Sequence, residues 1–271
     1  MTNYVLDVGS HSLKMYQLDD TSANLVGTLT WHLLEESDPY HAMSSGVKSI
    51  LKKCLPDAVV IAIGTEALRR KPELKSIALD VFKLHGIDLH VITQVEEAVL
   101  IRRAFLKMHK HFDVDVVNVG GGSIQIVQRN NRMTLLDFGI CDLNTRFRLG
   151  QSPDGRMVDE CIDWISSHLP LDLQDFAYTG GELTYLNRLN VSTVHSWCTR
   201  SSFETLAQRL ALLDEAELEL LSPYDPKWMR GAIASNCIVL SLLRKASVER
   251  FYASDLNITN GFLASFGAES C

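Results

Sequence analysis

The chain has 271 residues, 46% of them hydrophobic and 22% charged, with a formal net charge of −7. That is enough apolar material for one large core or two ordinary ones. The acidic balance argues against a broad nucleic-acid footprint, which needs clustered cations, whereas the nearest basic run, Arg69-Arg70-Lys71, is short.

The six cysteines are scattered, with no CxxC pair and no histidine at zinc spacing, and are expected to be reduced thiols. The N-terminus enters a strand at Tyr4 without a basic or long apolar leader, and no apolar run reaches membrane-spanning length. A cytoplasmic location is therefore expected, with no membrane and no nucleic-acid duplex among the partners.

In chain order, Tyr4 to Val8, Leu13 to Gln17 and Leu25 to Trp31 read as a strand meander, with Asp19 to Ser22 as its second turn. Asp38-Pro39 opens a helix of about a dozen residues. Ala58 to Ile63 is a continuous apolar run bounded by Pro56 and Gly64, as in a parallel strand buried on both faces. Thr65 to Arg70 starts a helix at that strand's carboxyl end, the edge where open α/β sheets collect ligands. Leu89 to Ile92 is a short strand, and Thr93 with Glu96 forms a capping box for a helix running to about His111. That box occupies Glu96. Glu97 lies about 100° further round the helix and is left to be either a solvated first-turn acid or a functional carboxylate.

The next segment, Asp115 to Val119, is an apolar strand that runs into Gly120-Gly121-Gly122-Ser123 and straight into a second strand, Ile124 to Val127. Consecutive glycines can take φ > 0 and turn several N–H groups toward one point, as in a phosphate cradle; a plain glycine hairpin has the same appearance. A second copy decides for the cradle: Asp7, Gly9, Ser12 and Lys14 fall over Asn118, Gly120, Ser123 and Gln125. This internal repeat predicts two similar domains, 1–112 and 113–255, each offering a glycine/serine turn to a shared cleft, with a last helix at about 256–271 returning to the first.

Beyond the repeat, Met133 to Phe138 completes the second meander and Gln151 to Gly155 is a loop. Met157, Cys161, Trp164, Ile165 and His168 recur at helical spacing, with Cys161 and Trp164 as core. Phe176 to Glu182 gives strand, Gly180-Gly181 and helix, a third candidate for close approach to a ligand. Ser201 and Glu204 form a capping box for a helix through Leu221, and a longer helix follows Pro226 to about Lys245. Phe251 to Asp255 is the last strand, and Ile258 to Phe266 a short closing helix.

In this order Asp7 to Ser12, Gly64 to Arg69, Glu96-Glu97-Ala98, Val117 to Ser123, Thr179 to Gly181, and Ser254-Asp255 with Gly261 resemble the exopolyphosphatase / guanosine pentaphosphate phosphatase family, over nearly the whole chain. The resemblance implies an α/β fold of the actin-like kind, two ribonuclease-H-like domains around a cleft, and hydrolysis of phosphoanhydride bonds in polyphosphate or guanosine pentaphosphate with magnesium. It matches Glu97 to the catalytic glutamate that activates water, Arg69 to a phosphate-contacting arginine, and Asp7 to the phosphate-loop aspartate, a candidate metal ligand. Gly9, Ser10, His11 and Ser12 match one phosphate loop, Gly120, Gly121, Gly122 and Ser123 the other, and Gly180 with Gly181 a third ligand-facing turn.

The chain departs from the family pattern where acids have become amides, at Asn118, Gln125 and Asn260, which would weaken magnesium binding. His11 stands for an asparagine and Glu182 for a threonine, and the chain corresponds to the short form without added helical domains. Two readings follow: a phosphoanhydride hydrolase, favoured by Glu97, Asp7 and Arg69, and a catalytically impaired sensor of phosphate or nucleotide, favoured by the amides. Either takes a small phosphate-rich ligand, polyphosphate or a nucleotide, and a homodimer is an open option.

Overall fold

The computed structural model describes residues 3–19, 22–31, 33–34, 36–110, 112–150, 153–223 and 226–266. Asp20 and Thr21 of the first expected turn, His111 at the expected helix end, Gln151 and Ser152 of the mid-chain loop, and positions 267–271 lie outside those residues. The chain divides into two compact units, Met1–Met108 with Ile258–Cys271, and His109–Asn257.

The first unit opens with an antiparallel meander, β1 (Asn3–Val8), β2 (Ser12–Leu18) and β3 (Ala23–Thr30), whose register sets Asp7 opposite Lys14. Helix α1 (Pro39–Leu51) starts where sequence places it: the Asp38 carboxylate accepts from His41 N–H at 3.0 Å, and Pro39 needs no N–H partner at the first helical position. Strand β4 (Val59–Gly64) lies parallel to β1, with Ile63 beside Asp7. The expectation that it is buried on both faces holds only for Ala62 to Gly64; Val59 is exposed where the strand enters from the surface. Then come α2 (Glu66–Arg70), α3 (Pro72–Leu84), β5 (Asp88–Val91) and α4 (Gln94–Met108). The sequence reading passed over α3, although Leu74, Ala78, Val81 and Phe82 form its buried stripe. The sheet order is β3-β2-β1-β4-β5. Leu6, Val8, Leu13 and Met15 pack with Met43 and Val47 of α1 and Phe82 of α3, each large side chain contributing about 1.5–3 kcal/mol by burial.

The second unit repeats this order. Strands β6 (Asp115–Val119), β7 (Ile124–Val127) and β8 (Met133–Leu136) form the meander, with Asn118 opposite Gln125. Next are α5 (Ile140–Phe147), α6 (Gly155–His168), β9 (Phe176–Thr179) and α7 (Glu182–Arg188). They are followed by β10 (Trp197–Thr199), α8 (Arg200–Ala211), α9 (Glu215–Leu220), a 3-10 turn at Pro226–Gly231, α10 (Ala232–Ala246) and β11 (Arg250–Ala253). Read from the meander, the sheet runs β8-β7-β6-β9-β11, with β10 added antiparallel outside β11. In α6, Cys161 is buried, whereas Trp164 is only partly so, with the Arg146 guanidinium 4.4 Å over its ring.

Three helix expectations fail here. The cap of α8 is Thr199, not Ser201: the chain leaves β10 already extended at Thr199, whose Oγ1 accepts from Ser202 N–H at 3.2 Å, while Glu204 pairs with Arg200 at 2.9 Å. The helix also stops at Ala211, because Asp214 and Glu217 form a fresh capping box that starts α9. Likewise the segment after Pro226 begins as the 3-10 turn, and α10 proper starts at Ala232.

The last helix, α11 (Ile258–Phe266), belongs to the first unit and packs along α4. Gly261 makes that approach possible, since a Cβ there would overlap the Leu100 backbone carbonyl. Gly261→Ala is expected to cost about 3 kcal/mol or more, read as a lower urea midpoint; a midpoint equal to wild type would show that the helices separate freely. No described helix is long and apolar enough to cross a membrane.

Candidate phosphate and carboxylate site

The two glycine turns are hairpins built alike. Gly9 N–H donates to Ser12 O at 3.0 Å, and Gly120 N–H to Ser123 O at 2.9 Å. The expectation of left-handed glycines is not met. Positive φ occurs at Gly86, Gly180 and Gly181, and at none of Gly9, Gly120, Gly121 or Gly122. What fixes the turns is the engagement of their carbonyls from one side. Gly9 O accepts from the Trp31 indole at 2.9 Å, Ser10 O from Leu33 N–H at 2.9 Å, and His11 O from Trp31 N–H at 3.0 Å. In the second turn Gly120 O accepts from Ile140 N–H at 3.1 Å and Gly121 O from Cys141 N–H at 2.7 Å. A trans peptide points its N–H opposite its C=O, so Ser10 and His11 in one turn, and Gly121 and Gly122 in the other, direct their N–H groups to the far side. The shape of both turns is therefore set by carbonyl anchoring and not by left-handed glycines.

Sequence reasoning missed Gly139, which this anchoring requires. A Cβ at Gly139 would overlap Gly120 O and stand 2.7 Å from the carbonyl carbon and oxygen of Gly121. The available signal was a glycine placed between a strand and a helix, Phe138-Gly139-Ile140. In the first turn Ser10 is buried, and its hydroxyl has no hydrogen-bond partner among the described residues.

The carboxylates of the first unit gather around Arg69. Its Nη2 donates to Glu97 Oε2 and to Glu66 Oε2, both at 2.9 Å, and its Nη1 to Ile92 O at 2.9 Å. Arg70 Nε donates to the other Glu66 oxygen at 3.1 Å. Glu97 is 5% exposed, which overturns its reading as a solvated first-turn acid. Burial pushes its carboxyl up to about 7 against the pull of Arg69, and the charges of Asp7 and Glu66 add to the rise. Glu96 does cap the helix: Thr93 N–H donates to its carboxylate at 2.7 Å, which holds Glu96 below the usual range. Asp7, at the end of β1, is pushed up by burial and drawn back by Lys14 across the strand pair.

The second turn carries amides in a buried network. Asn118 Nδ2 donates to Gln125 Oε1 at 2.6 Å, and Gln125 Nε2 to Ser123 Oγ at 2.9 Å. Magnesium, expected from the resemblance, takes anionic oxygens in a tight octahedron. Here the amide oxygens are neutral and already accept hydrogen bonds, Asn118 Oδ1 from Thr179 at 3.3 Å and Gln125 Oε1 from Asn118. Among the described residues no group of three or more His, Cys, Asp or Glu could hold a metal ion. These residues do not fit the cation. Asn260 lies in the first turn of α11, partly buried.

Gly180 and Gly181 do adopt positive φ, 105° and 110°, and feed Glu182 into α7. The Glu182 carboxyl is 5% exposed, with Oε1 unpartnered among the described residues. Burial first, then Asp255, pushes it up to about 8.

Two sheets of the same strand order, each with its anchored turn after the first strand, define an α/β, actin-like fold built of ribonuclease-H-like units. The chain matches the Ppx/GppA phosphatase family over residues 38–263 and belongs to that family of phosphoanhydride hydrolases. Its fold is similar to that of an exopolyphosphatase from Cytophaga hutchinsonii, with a TM-score of 0.84 at 16% identity over 99% of this chain and 98% of that one. The Ppx-GppA enzyme of Aquifex aeolicus gives a TM-score of 0.70 at 20% identity over 98% and 99% of the two chains. An exopolyphosphatase-like protein gives 0.78 at 14% identity, with both chains covered in full. No curated protein matches by sequence.

Proposed function

We propose that the chain hydrolyses a terminal phosphoanhydride bond of polyphosphate or of a guanosine pentaphosphate-type nucleotide, with Glu97 activating the water. The carrying observation is a buried carboxyl held near 7 by burial and oriented by Arg69 at 2.9 Å. A base with a pKa near the working pH is the one best placed to take a proton during attack. Water attacks the terminal phosphorus, its proton passes to Glu97, the bond to the bridging oxygen breaks, and phosphate leaves with a shortened chain. In the same unit as Glu97, the anchored first turn offers the Ser10 N–H and the buried Ser10 hydroxyl as donors to phosphoryl oxygens.

The Asn118–Gln125 network favours a second reading, a family member that binds phosphate or nucleotide without turnover. Phosphate release from tripolyphosphate, long polyphosphate, guanosine pentaphosphate and ATP, with magnesium and with chelator, separates the two. Release from any of them supports the hydrolase; tight binding with no release from all of them supports the sensor.

A further inference from the structure

One guanidinium nitrogen serves two carboxylates. Arg69 Nη2 donates to Glu97 Oε2 and to Glu66 Oε2, both at 2.9 Å, and all three residues lie in the first unit. Glu66 opens the five-residue helix α2, so Arg69 and Arg70, three and four positions on, fall on its own face. The two arginines divide its carboxylate: Oε1 accepts from Arg70 Nε at 3.1 Å, which holds Oε2 toward Arg69. The ends of α2 have anchors besides Glu66, since the Thr65 hydroxyl donates to Val8 O at 3.3 Å and Lys71 Nζ to Leu34 O at 2.6 Å.

A carboxylate with an arginine to itself gives up its proton well below neutral pH and is a poor base near pH 7. Glu97 has its arginine only in part. Burial raises its carboxyl most, Arg69 opposes that, and Asp7 from β1 and Glu66 from α2 add to the rise. The Asp7 charge is itself opposed by Lys14 across the strand pair, whereas Glu66 is joined to Glu97 through the same nitrogen. On α4 the other charges nearby are Glu96, turned to Thr93, and Arg102 five positions along; α11, packed against α4, carries no acid or base.

We propose that Glu66 is a positioning residue for the reaction: fixed by Arg70, it shares Arg69 with Glu97 and so leaves the Glu97 carboxyl able to take up a proton from water. This rests on the reading of Glu97 as the base and adds the group that keeps it one.

Carbon-13 NMR of the side-chain carboxyls in the full chain, titrated across neutral pH, tests this without turnover, with Glu97→Gln assigning the Glu97 signal. In wild type that signal is expected to titrate at about 7. In Glu66→Gln, which keeps the shape but not the charge, it should titrate about one pH unit lower, the scale of removing one nearby like charge. Arg70→Gln should move it the other way, by about half a unit, because both Glu66 oxygens can then turn to Arg69; this variant serves if Glu66→Gln does not fold. A Glu97 signal that stays in place or rises in Glu66→Gln, or that falls in Arg70→Gln, would overturn the proposal and leave Glu66 as a staple of α2. The pH profile of phosphate release from tripolyphosphate separates this from the base reading. An acid limb that Glu97→Gln abolishes and Glu66→Gln leaves unmoved removes the inference alone. A signal that follows Glu66 in a chain that releases no phosphate removes the base reading and leaves the shared arginine as what sets the Glu97 proton.

Discussion

Glu97→Gln is expected to lower kcat for phosphate release by 10²- to 10⁴-fold, the typical contribution of a positioned acid or base, while the dissociation constant for the phosphate ligand stays nearly unchanged. The amide oxygen can still accept from Arg69 Nη2, so the shape of the cluster survives while its basicity is lost. Relief from burying a charge should even raise stability slightly above neutral pH, because the Glu97 carboxyl is pushed up to about 7. Glu96→Gln is the matched control. It alters an exposed cap, costs up to about 1 kcal/mol of helix stability, and leaves kcat alone. Steady-state kinetics on both variants, with ligand binding measured separately, decides the matter. An active Glu97→Gln enzyme would mean that the Arg69–Glu97 pair is only a structural ion pair.

The second large effect concerns Glu182 and stability against pH. Its folded carboxyl is raised from 4.5 to about 8, so the folded protein keeps a proton that the unfolded chain gives up above about 4.5. The stabilising contribution is complete below the unfolded value, falls as pH rises from there, and is gone once pH passes about 8. The total is on the order of 5 kcal/mol. The groups facing it are Asp255 beyond β11, Tyr178 on β9, Tyr185 on α7 and Cys198 on β10. Burial first, and the nearness of Glu182 next, push both tyrosines and the thiol up, so none of them offers it a neutralising cation. Glu182→Gln should match wild type in urea denaturation near pH 4, exceed it increasingly up to about pH 8, and keep a constant advantage above that. Parallel pH dependences in the two proteins would show that the carboxyl is solvated.

Most strands other than β10, the repeat and most helix starts were legible because their signals are local. Asp38-Pro39 and Thr93 with Glu96 each act within one turn of helix, and the β1 and β6 patterns repeat at matched positions. The residues that needed the structure act at long range. Gly139 matters only because α5 folds back onto Gly120 and Gly121. The helix position of Glu97 leaves it open between a solvated acid and a functional carboxylate until its burial excludes the first, and Trp31, which anchors the first turn through its indole and its backbone, carries no sequence mark of that role. At α8 several hydroxyl residues, Thr199, Ser201 and Ser202, compete in sequence for the cap, and the end of β10 chooses among them. The amides at Asn118 and Gln125 were visible as lost acids, but the direction of their hydrogen bonds belongs to the folded turn alone.

The most direct test of the central claim is the pH profile of kcat/KM for phosphate release from tripolyphosphate. If Glu97 is the water-activating base, kcat/KM rises tenfold per pH unit on the acid side and levels off through a transition at about 7, and Glu97→Gln abolishes that limb. A wild-type profile with no transition near neutral pH, the same acid limb in Glu97→Gln, or no phosphate released at any pH would contradict it.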